Sequence, residues 1–354
     1  MSVQVIAEAG INHNGSLERA VAMVDAAAAA GADVVKFQTF RTSELVAPHA
    51  RKAKYQAETT GGGESQFDML RKVELDEAAH RVLLDRCRQQ GIAFMSTPFD
   101  RPSLNLLLGL EVPVLKIPSG EITNGPLLRA AVVSGRRLIL STGMANLDEI
   151  QAALDLMAFA VQQPDKTPCR AVLASADLTP GHALLRQRLV LLHCTSAYPT
   201  PYAEVNLRAM ATMAQRFGLP VGLSDHSQGI AIPIAAAALG AVVVEKHFTL
   251  DRSLPGPDHP ASLETDELAA MVAGIRAVSA ALGDGIKQPR AIEADNAEIA
   301  RKSLVASRAI AKGETFDVAN LAVKRPGTGR SPMEYWDLLG QVADRDYQSD
   351  EVIG

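Results

Sequence analysis

Between residues 3 and 282 a short apolar run ending in polar residues, followed by a helical stretch, recurs eight times. The runs fall at residues 3–8, 33–39, 92–97, 114–117, 137–141, 189–194, 221–226 and 242–247. Helical stretches lie behind them. Ser16 is placed to cap an Ala-rich helix over 17–30 that stops at Gly31, and others are expected at 76–90, 230–240 and 264–282. Strand, helix, strand at this spacing is a parallel βαβ unit. Eight such units in one chain require a closed (β/α)8 TIM barrel rather than an open doubly wound sheet. A dinucleotide fingerprint is absent, because Gly10-Ile-Asn-His-Asn-Gly15 lacks the G-x-G-x-x-G spacing.

Two polar inserts interrupt the alternation, at 41–74 and at 162–188, and the second is expected to be a surface excursion. The barrel pattern closes at Gly283, giving a barrel domain over 1–283, a charged linker over 284–300 and a tail over 301–354. In the tail, short strands and turns are expected over 303–306, 310–316 and 321–327. A tail of that length is marginal as an independent core and should rest on its own barrel or a partner's. With 47% hydrophobic residues, 21% charged residues and a net charge of −5, neither nucleic acid nor an anionic membrane surface is an expected partner. Cys87, Cys169 and Cys194 show no paired spacing. That predicts a reducing, cytoplasmic location. The N-terminus enters a strand directly, with no secretion signal or membrane span expected.

In a barrel of this kind chemistry gathers where strands end. Those ends read Glu8; Lys36 and Gln38; Ser96 and Thr97; Lys116, Ser119 and Glu121; Ser141 and Thr142; His193 and Thr195; Ser224 and His226; Glu245 and His247. His226 and His247 would emerge side by side on one rim, either as a metal site or acid/base pair or as two unrelated hydrogen-bonded histidines. Lysines are rarely buried without partners; a purely structural alternative pairs Lys36 and Lys116 with Glu8 and Glu121 inside the barrel, but it does not explain why nearly every strand ends in a polar group. Two lysines with Thr97, Ser119, Ser141 and Ser224 make a cationic, hydroxyl-lined pocket suited to phosphate. Glu8, Glu121 and Asp258 add carboxylates that could orient a sugar or relay protons. His49, His80 and His182 are expected on the surface.

Taken together, Ile6-Ala-Glu-Ala-Gly-Ile-Asn-His-Asn-Gly15, Val35-Lys-Phe-Gln-Thr-Phe40, Lys116-Ile-Pro-Ser-Gly-Glu121, Leu192-His-Cys-Thr-Ser-Ala-Tyr-Pro-Thr-Pro201, Gly222-Leu-Ser-Asp-His226 and Glu245-Lys-His-Phe-Thr249 resemble the sialic acid synthases and their legionaminate and pseudaminate relatives. Ile310-Ala-Lys-Gly-Glu314 and Lys324-Arg-Pro-Gly327 resemble the antifreeze-like SAF domain fused to those enzymes. The resemblance implies condensation of phosphoenolpyruvate with an N-acetylmannosamine-type aldehyde, giving a nine-carbon 2-keto acid and phosphate. It further implies a divalent metal, Mn2+ above all with Mg2+ or Co2+ as alternatives, on His226 and His247. By the same likeness Lys36, Thr97, Lys116, Ser119, Ser141, Ser196 and Ser224 contact phosphoenolpyruvate, and Glu8, Gln38, Glu121, Tyr198 and Asp258 serve sugar binding and acid/base work. Arg325 matches the tail arginine that reaches into the neighbouring barrel, which implies a domain-swapped homodimer. Ser196 stands where several relatives have asparagine, and the insert at 162–188 is extra.

Within that family, Ser119-Gly-Glu-Ile-Thr-Asn124 and Glu64-Ser-Gln66 lean toward legionaminate synthases. Competing readings are another phosphoenolpyruvate–aldose synthase, making pseudaminate or a 3-deoxy-sugar acid, and a non-catalytic carbohydrate- or ice-binding protein suggested by the tail alone.

Overall fold

The computed structural model describes residues 3–61 and 63–354. Eight parallel strands form a closed barrel: β1 Gln4–Gly10, β2 Val34–Thr39, β3 Ala93–Pro98, β4 Val114–Ile117, β5 Arg137–Ser141, β6 Leu189–His193, β7 Val221–Asp225 and β8 Val243–His247. Each strand pairs with its sequence neighbour, and β1 closes on β8 with Glu8 opposite His247. Helices follow the strands as the alternation predicts. The first, Leu17–Ala29, begins where the Ser16 side chain accepts from Arg19 N–H, and Gly31 leaves it at φ 78°.

Side chains alternate across each strand, so the barrel interior is built from every second residue. Ile6, Val34, Met95, Ile139, Leu192 and Val243 form an apolar layer inside it. Gly222 of β7 has no room for more, since a Cβ there would meet Val243 O at 2.2 Å and Leu192 Cδ2 at 2.8 Å. Two residues further along the same strands come Glu8, Lys36, Thr97, Ser141 and Glu245, a polar layer directly above an apolar one. Val244, Leu223, Val35 and Phe37 face the other way, into the larger core between sheet and helices.

Both inserts contain structure that periodicity did not show. Residues 41–74 fold into the short helices Thr42–Leu45, Lys54–Thr60 and Gln66–Arg71. The second insert is more than an excursion. It forms helices Arg170–Ser175 and Thr179–Arg186, and Gly181 lies so close to Ala158 O that a Cβ would stand 2.1 Å away. His80, expected on the surface, is buried and bonded at both nitrogens. Its Nδ1–H donates to Asp76 O at 2.7 Å, so Nε2 accepts from Thr39 Oγ1, also at 2.7 Å. Thr39 Oγ1 lies 2.6 Å from Ser96 Oγ, and the chain ties the ends of β2 and β3 to the helix Glu77–Gln90.

A second compact unit comprises Asp284–Gly354. Strands β9 (Ser303–Ala306) and β10 (Leu321–Lys324) pair antiparallel over a core of Leu304, Ile310, Phe316, Leu321, Leu338, Tyr347 and Ile353. Residues 310–316, read as part of a run of short strands and turns, contribute isolated bridges at Ile310 and Thr315. A turn closed by Glu314 N–H on Ala311 O, with Gly313 at φ 87°, separates them. The stretch read as linker carries the helix Ala294–Ala300, whose Glu298 carbonyl accepts from Gly327 N–H at 2.7 Å. Among the described residues no helix is long and apolar enough to cross a membrane.

Candidate functional site

The polar layer converges on a cavity of about 500 Å3 at the C-terminal end of the barrel. At its base Lys36 Nζ lies 2.6 Å from Glu8 Oε2 and 3.6 Å from Glu245 Oε2, while Lys116 Nζ lies 3.4 Å from Glu245 Oε1. All four are nearly excluded from solvent. The partner of Lys116 is therefore Glu245, from across the barrel, and not Glu121. Glu121 leaves β4 on a 3-10 turn and accepts from Asn124 Nδ2 at 2.6 Å.

The two buried carboxylates titrate apart. Burial drives Glu8 up to about 7, the Lys36 charge offsetting only part of that, and the nearby Glu245 charge adds to the rise. Burial also opposes ionisation of Glu245, but Lys116, Lys36 and the Ser224 hydroxyl, which donates at 2.8 Å, hold it at about 2. One carboxylate is thus a permanent counterion, and the other exchanges a proton near neutrality. Gln38 Nε2 approaches Glu8 Oε1 at 3.4 Å.

Above this layer the histidine rings stand 5.6 Å apart, centroid to centroid. His226 donates Nδ1–H to Thr195 O at 2.8 Å, which leaves the Nε2 lone pair free. His247 Nδ1 is buried without a hydrogen-bond partner. Burial lowers the proton affinity of both rings, and each ring stays neutral. Neutral imidazoles side by side, with an unpartnered nitrogen, suit a divalent ion of the first transition series. Among the described residues no third His, Cys, Asp or Glu completes a cluster. An ion here would draw its remaining ligands from water or substrate, as catalytic sites do.

Tyr198 packs 4.1 Å from the His226 ring, and Tyr55 of the first insert stacks on Tyr198 at 4.9 Å. Asp258, raised to about 6 by burial, lines the same side. Facing the lysines, Thr97 Oγ1 accepts from Lys36 Nζ at 3.1 Å, and Ser141 Oγ is buried with no partner. Ser119 Oγ accepts from Gly143 N–H at 2.9 Å and lies 3.1 Å from Cys194 Sγ. A Cβ on Gly143 would sit 2.4 Å from Ser196 Oγ, so only glycine lets these hydroxyls and the main chain close up.

Every residue that the family resemblance assigns to the site lines this cavity except Arg325, which lies in the second unit, exposed, with Nε donating to Ala300 O at 3.1 Å; of the other strand-end residues, Ser96, Thr142, His193 and Thr195 do not line it. Missed were Glu245 as the counterion, Cys194, and Tyr55 and Gln56 from the first insert, whereas Gln66 belongs to the Glu64-Ser-Gln66 stretch singled out in the sequence. Glu245 had a signal: a carboxylate directly before Lys-His at a strand end. Tyr55 and Gln56 had none. The Asn12-His-Asn14 motif serves the seam between β1 and β8. Asn12 Nδ2 donates to Phe248 O at 2.8 Å, and Asn14 Nδ2 donates to Pro255 O at 2.6 Å.

Residues 23–287 match the NeuB family and residues 301–354 the SAF domain. The chain is 47% identical to the N,N'-diacetyllegionaminic acid synthase of Campylobacter jejuni, over 99% of this chain and 98% of that one. It is 43% identical to the enzyme of the same name from Legionella pneumophila, covering 96% and 90% of the two chains. Among solved structures it resembles the N-acetylneuraminic acid synthetase of Leptospira borgpetersenii crystallised with citrate. The TM-score is 0.67 and the identity 35%, over 84% of this chain and 90% of that one.

Proposed function

The chain belongs to the NeuB family and is a nonulosonic acid synthase, and on that footing we propose that it makes N,N'-diacetyllegionaminate from phosphoenolpyruvate and a 6-deoxy-diacetamido mannosamine. The sugar assignment rests on the near full-length likeness to the two bacterial enzymes of that name. The observation that carries the chemistry is the joining, in one cavity, of a lysine–carboxylate quartet to two neutral histidines.

Condensation adds carbon 3 of phosphoenolpyruvate to the aldehyde carbon, adds water at carbon 2, and releases phosphate with C–O cleavage. Lys36 and Lys116 hold the anionic substrate from below, and the unpartnered Ser141 hydroxyl with Thr97, Ser119 and Ser196 donates to its oxygens. Ser224 acts through Glu245, whose charge favours the protonated form of both lysines against the burial that opposes it. We assign the proton transfers to Glu8. Protonated, it neutralises the aldehyde oxygen as that oxygen becomes a hydroxyl; ionised, it takes the proton from the attacking water. Gln38, Glu121, Tyr198 and Asp258 orient the sugar. A divalent ion on His226 and His247, Mn2+ foremost, would supply Lewis-acid polarisation of the sugar carbonyl. Arg325 completes the sugar subsite from a second copy of the chain, in a dimer that exchanges SAF domains.

The deciding experiment measures phosphate release with phosphoenolpyruvate, Mn2+ and either the diacetamido sugar or N-acetylmannosamine, with and without chelator. Faster, chelator-sensitive turnover of the diacetamido sugar supports the proposal. Preference for N-acetylmannosamine or for a phosphorylated sugar refutes the substrate assignment, and chelator-resistant turnover refutes the metal.

A further inference from the structure

On the opposite face of the sheet from the two histidines lies an ion pair that touches no part of the cavity. Asp225 and Lys246 stand in register on β7 and β8, each directly preceding one of the two histidines in sequence. Both are buried, and Lys246 Nζ lies 2.5 Å from Asp225 Oδ2. The pair also grips the next turn. Asp225 Oδ1 accepts from Ser227 N–H at 3.0 Å, Asp225 Oδ2 accepts from Ser227 Oγ at 3.0 Å, and Lys246 Nζ donates to Ser227 O.

Both main-chain polar groups of Ser227 are therefore held by side chains of the flanking strands. His226, between Asp225 and Ser227, has little freedom left. Its carbonyl accepts from Thr200 N–H at 2.9 Å and its ring donates to Thr195 O. A buried ion pair is a weak source of stability, since apolar residues of similar volume usually serve as well. Its distinctive effect here is geometric. Partners in the outer shell that fix a ligand's orientation commonly change metal affinity by about 10–100-fold.

We propose that Asp225 and Lys246 are positioning residues that set the His226 imidazole against His247 and thereby tune affinity for a divalent ion. This rests on the reading that the two histidines take that ion. The test is Mn2+ binding, followed by the electron paramagnetic resonance signal of free Mn2+, with thermal unfolding and metal-free phosphoenolpyruvate binding measured alongside. Asp225→Asn and Lys246→Met each weaken Mn2+ binding about 10–100-fold while phosphoenolpyruvate binding stays within about twofold. The double variant leaves no lone buried charge, so it recovers thermal stability, yet its Mn2+ binding remains weak. If the single variants fail to fold, the double variant carries the test. Wild-type Mn2+ affinity in the double variant overturns the clamp alone. A wild-type protein that takes up no Mn2+, or a His247→Ala variant that binds it like wild type, overturns the metal reading and the clamp with it.

Discussion

Glu245→Gln removes the one charge that both buried lysines share while keeping nearly the same shape. At an effective dielectric constant of about 20, a unit pair at 3.4 Å attracts by about 5 kcal/mol, and the pair at 3.6 Å by slightly less. Desolvation of the carboxylate offsets a large part of this gross attraction, and breaking a buried pair from one side typically costs about 3–5 kcal/mol. For a unit this large each kcal/mol moves the midpoint by roughly 2–4 °C, so the variant should unfold roughly 6–20 °C earlier. Ser224→Ala is the control, because it removes only the 2.8 Å hydrogen bond and should cost about 1–3 kcal/mol. The second arm uses orthophosphate, which brings negative charge back to the lysines. It should stabilise Glu245→Gln more than it stabilises wild type, by an increment that grows with log concentration. Differential scanning calorimetry with and without phosphate reads both arms. A midpoint loss no larger than that of Ser224→Ala, or equal phosphate stabilisation of the two proteins, would show that Glu245 is not the counterion described.

Three other outcomes are expected. Glu8 is protonated below about pH 7, where the quartet carries net positive charge, and ionised above it, where the quartet is neutral. The dissociation constant for phosphoenolpyruvate, measured by calorimetric titration, should therefore rise as pH increases through 7, and Glu8→Gln should flatten that profile. Arg325→Ala should raise the KM for the sugar at least tenfold while that for phosphoenolpyruvate changes less than twofold; equal effects would remove it from the sugar subsite. His80→Ala breaks the buried Asp76–His80–Thr39 chain and should lower stability in urea by about 2–4 kcal/mol, whereas a surface histidine would change it by under 0.5.

How far the sequence reveals this molecule depends on the range of the forces involved. The strand ends were legible because alternation along parallel strands puts Glu8, Lys36, Lys116 and His247 at one rim without any distant information. The partner of Lys116 was not. Glu121 is near it in sequence, but barrel closure brings Glu245 from four strands away, and no local pattern encodes that distance. Residues 41–74 lack periodicity, so nothing local placed Tyr55, Gln56 and Gln66 against the cavity. His80 did carry a signal that a composition-based view of its helix overlooked. Ala79, Leu83 and Cys87 repeat at helical spacing on the buried face, and His80 adjoins that stripe.

The apolar layer of Ile6, Val34, Met95, Ile139, Leu192 and Val243 has a consequence for traffic. It stops the vessel at one end, so both reactants, water and every departing molecule must use a single mouth. The lysines lie at the bottom of that well and the imidazoles nearer its lip. With phosphoenolpyruvate on the lysines and the sugar at the imidazoles, as proposed above, the enol phosphate loads before the sugar and inorganic phosphate leaves after the long acid above it. On that assignment, sequential loading is a consequence of the stopper itself.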